Sequence, residues 1–108
     1  MQITVSQSGQ GTVASFDGRL DASTSADAEQ KLLALVNGGA VIADLEKVNY
    51  ISSAGLRLLL KAAKLARAAG SGFVVCGLQP TVREAFEISG FNKIIPAFPT
   101  IAEACVSA

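Results

Sequence analysis

The spacing of apolar residues changes several times along this 108-residue chain, and each change predicts a new element. Short runs over residues 3–6 and 12–16 flank Gln7-Ser8-Gly9-Gln10-Gly11, whose glycines can supply the positive φ values of a hairpin loop, so a β-hairpin is expected first. From Ala22 the period lengthens. Ala28, Leu32, Leu35 and Val36 share one helical face, with Thr24 or Ser25 placed to cap its start and Gly38-Gly39 to end it. Ala40-Val41-Ile42-Ala43 is then continuously apolar, the pattern of a central strand covered on both faces. After a turn, Ser52 and Ser53 open a second helix with an expected buried stripe of Leu56, Leu59, Leu60, Ala63 and Ala66. Its solvated side carries Arg57, Lys61, Lys64 and Arg67, and Gly70 ends it.

The alternation continues to the C-terminus. Residues 72–76 read as a buried strand, and Pro80 opens a helix that presents Val82 and Phe86 to the core before Ser89-Gly90 closes it. Lys93-Ile94-Ile95 is expected to be a last short strand, and Thr100-Ile101-Ala102-Glu103 is a capping box for a C-terminal helix. Parallel strands need crossover connections, so this order predicts an α/β fold: one domain over residues 1–108, with a mostly parallel sheet, an N-terminal β-hairpin and about four helices. The order of the strands does not follow from the pattern.

Composition narrows the function classes. Half the residues are apolar and only 6% aromatic, which suits a core of Leu, Val, Ile and Ala with Phe as bulky filler. Nine Lys and Arg balance nine Asp and Glu without a run of one sign, so neither nucleic acid nor an anionic membrane surface is expected as a partner. The start, Met1-Gln2-Ile3-Thr4-Val5, lacks the features of a signal peptide and no segment has membrane-spanning length, so a cytoplasmic protein without membrane insertion is expected. Cys76 and Cys105 sit in apolar runs and read as core residues. With no His and no Cys cluster, no transition-metal site is expected, and no motif calls for a cofactor.

The richest local chemistry lies at Ser52-Ser53-Ala54-Gly55, where a strand hands over to a helix. Serine hydroxyls there face unpaired backbone N–H groups and the positive end of the helix dipole, an environment that tolerates a phosphate. The same spacing suits a simple N-cap at Ser52 with Ser53 in the first turn. A nucleophilic serine enzyme lacks its usual His base, leaving only Lys61 or Lys64 to substitute, so catalysis is not expected. Asp21 and Asp44 are the carboxylates nearest predicted strand ends, but they form no acid–base pair. Gly18, Gly55 and Gly90 fit no phosphate-loop pattern and read as turns or caps. Arg57, Lys61 and Lys64 are equally consistent with a docking face and a plain solvated face.

Three separated segments together resemble one family. Gly18-Arg19-Leu20-Asp21, the stretch Asp44-Leu45-Glu46-Lys47-Val48-Asn49-Tyr50-Ile51-Ser52-Ser53-Ala54-Gly55-Leu56, and residues 80–95 are similar to the signatures of STAS domains of bacterial anti-sigma factor antagonists. That resemblance covers essentially the whole chain. It implies a non-catalytic partner switch: a serine-kinase anti-sigma factor binds the unphosphorylated antagonist and releases it once it is phosphorylated, and a PP2C-type phosphatase reverses the mark. By position the phosphorylated residue is Ser53, with Ser52 second, because Ser52 stands where many members carry Asp and Ala54 where they carry Ser or Thr. The implied partner-binding surface comprises Asp21, Ser52, Ser53, Ala54, Gly55 and Leu56, with Leu56 open to a core or an interface role. The alternative is a STAS subunit that scaffolds another complex, such as a lipid-transport ATPase, without phosphorylation.

Overall fold

The computed structural model describes residues 1–8 and 11–107; Gly9 and Gln10 of the expected hairpin loop, and the terminal Ala108, lie outside the described residues. Strands β1 (Gln2–Ser8), β2 (Gly11–Leu20), β3 (Val41–Ile51), β4 (Phe73–Cys76) and β5 (Ala97–Phe98) form one sheet in the order β1-β2-β3-β4-β5. β1 and β2 pair antiparallel as the expected hairpin, and every other neighbouring pair is parallel. Gly11 belongs to β2 opposite Ser8 and does not take the positive φ expected of a loop glycine. Helices α1 (Ser25–Asn37), α2 (Ser53–Ala68), α3 (Pro80–Ile88) and α4 (Ile101–Ser107) supply the crossovers and the last cover. Among the described residues no helix is long and apolar enough to cross a membrane.

Side-chain alternation along the strands divides the core into two layers. Val13, Ile42 and Val74 align across β2, β3 and β4 and, with Cys76, face Ala104 of α4. The next row, Ala14, Ala43 and Val75, faces the opposite way into the larger cluster with Leu32, Leu59 and Phe86. A strand packed on both faces needs apolar residues in succession, which explains Val41-Ile42-Ala43 in the middle of the sheet.

Four expectations are corrected. No turn separates the central strand from Ser52, because β2 and β3 remain paired until Leu20 meets Ile51; two register shifts accommodate this length, one of them at Gly18, whose φ is 120°. Asp44 is therefore an interior position of β3 and not a strand terminus. The buried stripe of α2 is Gly55, Leu58, Leu59, Ala62 and Ala66, turned by one position from the expected one, and Leu56, Leu60 and Ala63 flank it half-buried. Gly55 causes the rotation, since its bare Cα lets the helix start lie against Leu20 and Ile51. Lastly, Lys93-Ile94-Ile95 is no strand: Phe91–Lys93 is a 3-10 turn, and the Ile95 amide is spent on the Phe91 carbonyl at 2.8 Å. Pairing with β4 starts only at the Pro96 carbonyl, which accepts from the Val75 amide, so the strand falls at Ala97–Phe98.

Candidate functional site

The paired C-terminal ends of β2 and β3 bring two distant segments together. Leu20 is the last residue of β2 opposite Ile51, and its carbonyl accepts the Ser52 amide at 2.9 Å. Asp21 and Ser52 thus leave the sheet side by side at the carboxyl edge, where α/β folds place their ligands and partners.

Ser52 is the N-cap of α2. Its backbone is extended (φ −96°, ψ 177°), its Oγ accepts the Gly55 amide at 3.3 Å and its carbonyl accepts the Leu56 amide at 2.9 Å. Ser53 begins the helix and is exposed, and among the described residues its hydroxyl makes no hydrogen bond. The first turn of α2 carries no acidic residue, so its dipole and free N–H groups are not neutralised from within the helix. Ala54 is half-buried and Gly55 buried, while Leu56 packs against the core with part of its surface open, between the two roles considered for it.

Asp21 organises the neighbouring loop. Its Oδ1 accepts the Ser23 amide at 2.9 Å, the Ser23 hydroxyl at 2.7 Å and the Thr24 amide at 3.2 Å, which fixes the turn leading into α1; the side-chain cap expected from Thr24 or Ser25 is not made. Thr24 holds the N-cap position of α1, but its hydroxyl points back to accept the Asp21 amide at 3.0 Å and donate to the Arg19 carbonyl at 2.9 Å. The Ser23 hydroxyl is the strongest influence on the Asp21 carboxyl. Together with the Ser23 amide, Arg19 and the Thr24 amide it outweighs desolvation and holds the carboxyl down, from 3.8 to about 2. Asp21 is a fixed negative charge beside α2.

Arg19 and Tyr50 join this surface and carried no signal in the sequence. Arg19 Nε lies 3.4 Å from Asp21 Oδ2, and its guanidinium stacks 4.4 Å from the centre of the Tyr50 ring. They meet because the register pairs Arg19 with Tyr50, which only knowledge of the strand pairing reveals. Tyr50 remains 42% exposed, an aromatic shelf next to the serine turn. Asp44 stays apart: it accepts the Ser15 hydroxyl at 3.2 Å and the Glu46 amide at 3.1 Å and has no part in the site. Of the α2 cations, Lys61 bonds Glu29 of α1 at 3.2 Å, whereas Arg57 and Lys64 are exposed.

Comparison with known proteins agrees with this geometry. The STAS domain family matches residues 2–104. BtrV of Bordetella bronchiseptica, which bears the name anti-sigma factor antagonist, is 40% identical over 98 residues, or 89% of this chain and 84% of its own. A STAS domain anti-sigma factor antagonist from Planctomyces limnophilus superposes with a TM-score of 0.88 at 26% identity, over 97% of this chain and 95% of that one. An anti-sigma factor antagonist from Mycobacterium paratuberculosis gives 0.90 at 27% identity, over 98% and 92%. The chain belongs to the STAS domain family of anti-sigma factor antagonists.

Proposed function

We propose that this chain is a non-catalytic partner switch that binds an anti-sigma factor with serine-kinase activity and is released when Ser53 is phosphorylated, a PP2C-type phosphatase resetting it. The observation that carries the reading is the position of Ser53: exposed, with an unengaged hydroxyl, on the first turn of α2 beside the ionised Asp21. A kinase can reach it without unfolding anything. The phosphate would add about 1.5 to 2 negative charges to a helix N-terminus that tolerates them, so the fold survives. A partner docked over Asp21, Ser52, Ser53, Ala54, Gly55 and Leu56 would instead meet like charges side by side and a dianion to desolvate. Arg19 and Tyr50 extend this surface with the residue types that anchor interfaces.

The test is to incubate the protein with ATP and the serine kinases encoded near it, then map phosphate by fragmentation mass spectrometry. Ser53→Ala is expected to abolish labelling and keep kinase binding, and Ser53→Asp to weaken binding. Labelling of neither Ser53 nor Ser52 sinks the switch and leaves the scaffold reading. Equal affinity of the Ala and Asp variants refutes the charge mechanism.

A further inference from the structure

At the opposite end of α2 from Ser53 lies a groove of about 770 Å³, between the C-terminal half of that helix, the outer edge of β4 and the turn before β5. Leu60, Ala63, Phe73, Ile94 and Pro96 give it an aliphatic and aromatic floor. Its polar rim is one-signed. Lys64 and Arg67 from α2 and Lys93 from the 3-10 turn line it, and no carboxylate does. In a chain with nine acidic and nine basic residues, this is a marked local excess. The ion pairs among the described residues engage Arg19, Lys31 and Lys61, so none of the three rim cations is neutralised by the fold. Arg67 lies in the last turn of α2 and Lys93 ends the 3-10 turn, so two separate elements bring cations to one rim.

The backbone adds a donor. Val75 and Gly77 turn their amides outward from β4, to the carbonyls of Pro96 and Phe98 at 3.0 Å each. By strand alternation the Phe73 amide turns the same way, yet β5 pairs only with Val75 and Cys76, so the edge at Phe73 is left open to the groove. That open edge is too short to template an added strand from a peptide. The volume, by contrast, lies within the roughly 300–1,000 Å³ of small-molecule sites, with the apolar lining and few convergent polar groups usual there.

We propose that this groove binds a single-chain amphipathic anion, its aliphatic tail on Leu60, Ala63, Phe73 and Ile94 and its carboxylate or phosphate head among Lys64, Arg67 and Lys93. Lys64 and Arg67 lie about 16–21 Å along the helix axis from Ser53, so an occupant leaves the serine turn uncovered. The site is independent of the partner switch.

The test titrates decanoate, decyl phosphate and decanol, each below its aggregation concentration, into the 108-residue chain, followed by amide NMR and calorimetry. Saturable binding of either anion is expected, with shifts concentrated at Leu60, Ala63, Phe73 and Ile94 and with decanol at least tenfold weaker; the tighter anion identifies the head group. The exposed triple variant Lys64→Gln, Arg67→Gln, Lys93→Gln should keep its spectrum and lose tenfold or more in affinity. The proposal is overturned if neither anion saturates, if decanol binds as well, if the shifts fall at the Ser53 end, or if the triple variant binds unchanged. An acidic peptide that occupies the groove when the anions do not also overturns it.

Discussion

Gly55→Ala is the sharpest probe of how the serine turn is held. A Cβ built on Gly55 would lie 2.7 Å from Ile51 Cγ1, 2.8 Å from the Leu20 carbonyl oxygen and 2.9 Å from Leu20 Cγ, all closer than real contacts allow. None of these atoms is the free end of a flexible side chain. Leu20 and Ile51 are buried, and the Leu20 carbonyl accepts the Ser52 amide, so relief must come from moving the start of α2 away from the sheet. Overpacking of this kind costs about 1–3 kcal/mol. Stretching the hydrogen bond between Ser52 and Leu20 adds about 0.5–1.5 kcal/mol. The better helix propensity of Ala returns at most about 1 kcal/mol. A net loss near 2 kcal/mol is expected, which for a domain of this size lowers Tm by about 8–16 °C. Calorimetry and urea unfolding measure it, with a lower midpoint at unchanged m-value. Gly72→Ala is the contrast: nothing lies within 4 Å of its added Cβ and its φ is not left-handed, so stability should hold or rise slightly. If Gly55→Ala is as stable as the parent, the close approach is not what positions the turn.

Two further outcomes concern ionisation. The Asp21 carboxyl titrates lower in the folded chain (about 2) than its ordinary 3.8, so its contribution is complete above about pH 4 and disappears as pH falls through about 2. The Tm gap between the parent and Asp21→Asn should therefore narrow over that window, and a gap that stays constant to pH 2 counts against the hydrogen-bond network around Asp21. For Cys76, burial first and then the charge of Asp44 push the thiol up to about 12. The unfolded thiol ionises near its ordinary 9.0, so the Cys76 contribution to stability is present below about that pH and fades as pH rises toward 12. Alkylation of Cys76 at pH 8 should track global unfolding, and rapid labelling of the native protein would show the burial to be wrong.

What could be read along the chain was local, and what could not was set by pairing. Ser52 as a cap, Pro80 at a helix start and the doubly covered Val41-Ile42-Ala43 strand each depend on neighbours in sequence, and each was legible. The phase of the α2 stripe was not, because it turns on the contact of Gly55 with Leu20, a residue of another strand. The apolar pair Ile94-Ile95 suggested a strand, but the Ile94 and Ile95 amides both turn back to the Phe91 carbonyl and Pro96 has none to offer, so the ladder slips to Ala97. Arg19 and Tyr50 are unremarkable apart; only the register that pairs them produces a stacked cation beside Asp21. The resemblance pointed to a candidate site, and pairing shows which residues neighbour it.

The proposed preference for Ser53 over Ser52 can be tested through the work each hydroxyl already does. Ser52 Oγ accepts the Gly55 amide and is half-buried, whereas Ser53 is exposed and unengaged among the described residues, so Ser53 presents the more accessible hydroxyl to a kinase. Asp caps a helix as well as Ser does, and its charge gains about 0.3–1 kcal/mol more at a helix N-terminus. Ser52→Asp should therefore keep or raise Tm and leave kinase labelling intact at Ser53. Ser52→Ala should cost about 0.5–2 kcal/mol through the lost cap while still being labelled. If Ser52 were the acceptor, the pattern would invert: Ser52→Asp would abolish labelling and Ser53→Ala would retain it. Measuring both variants by thermal unfolding and phosphate mapping separates a cap that supports the switch from a cap that is the switch.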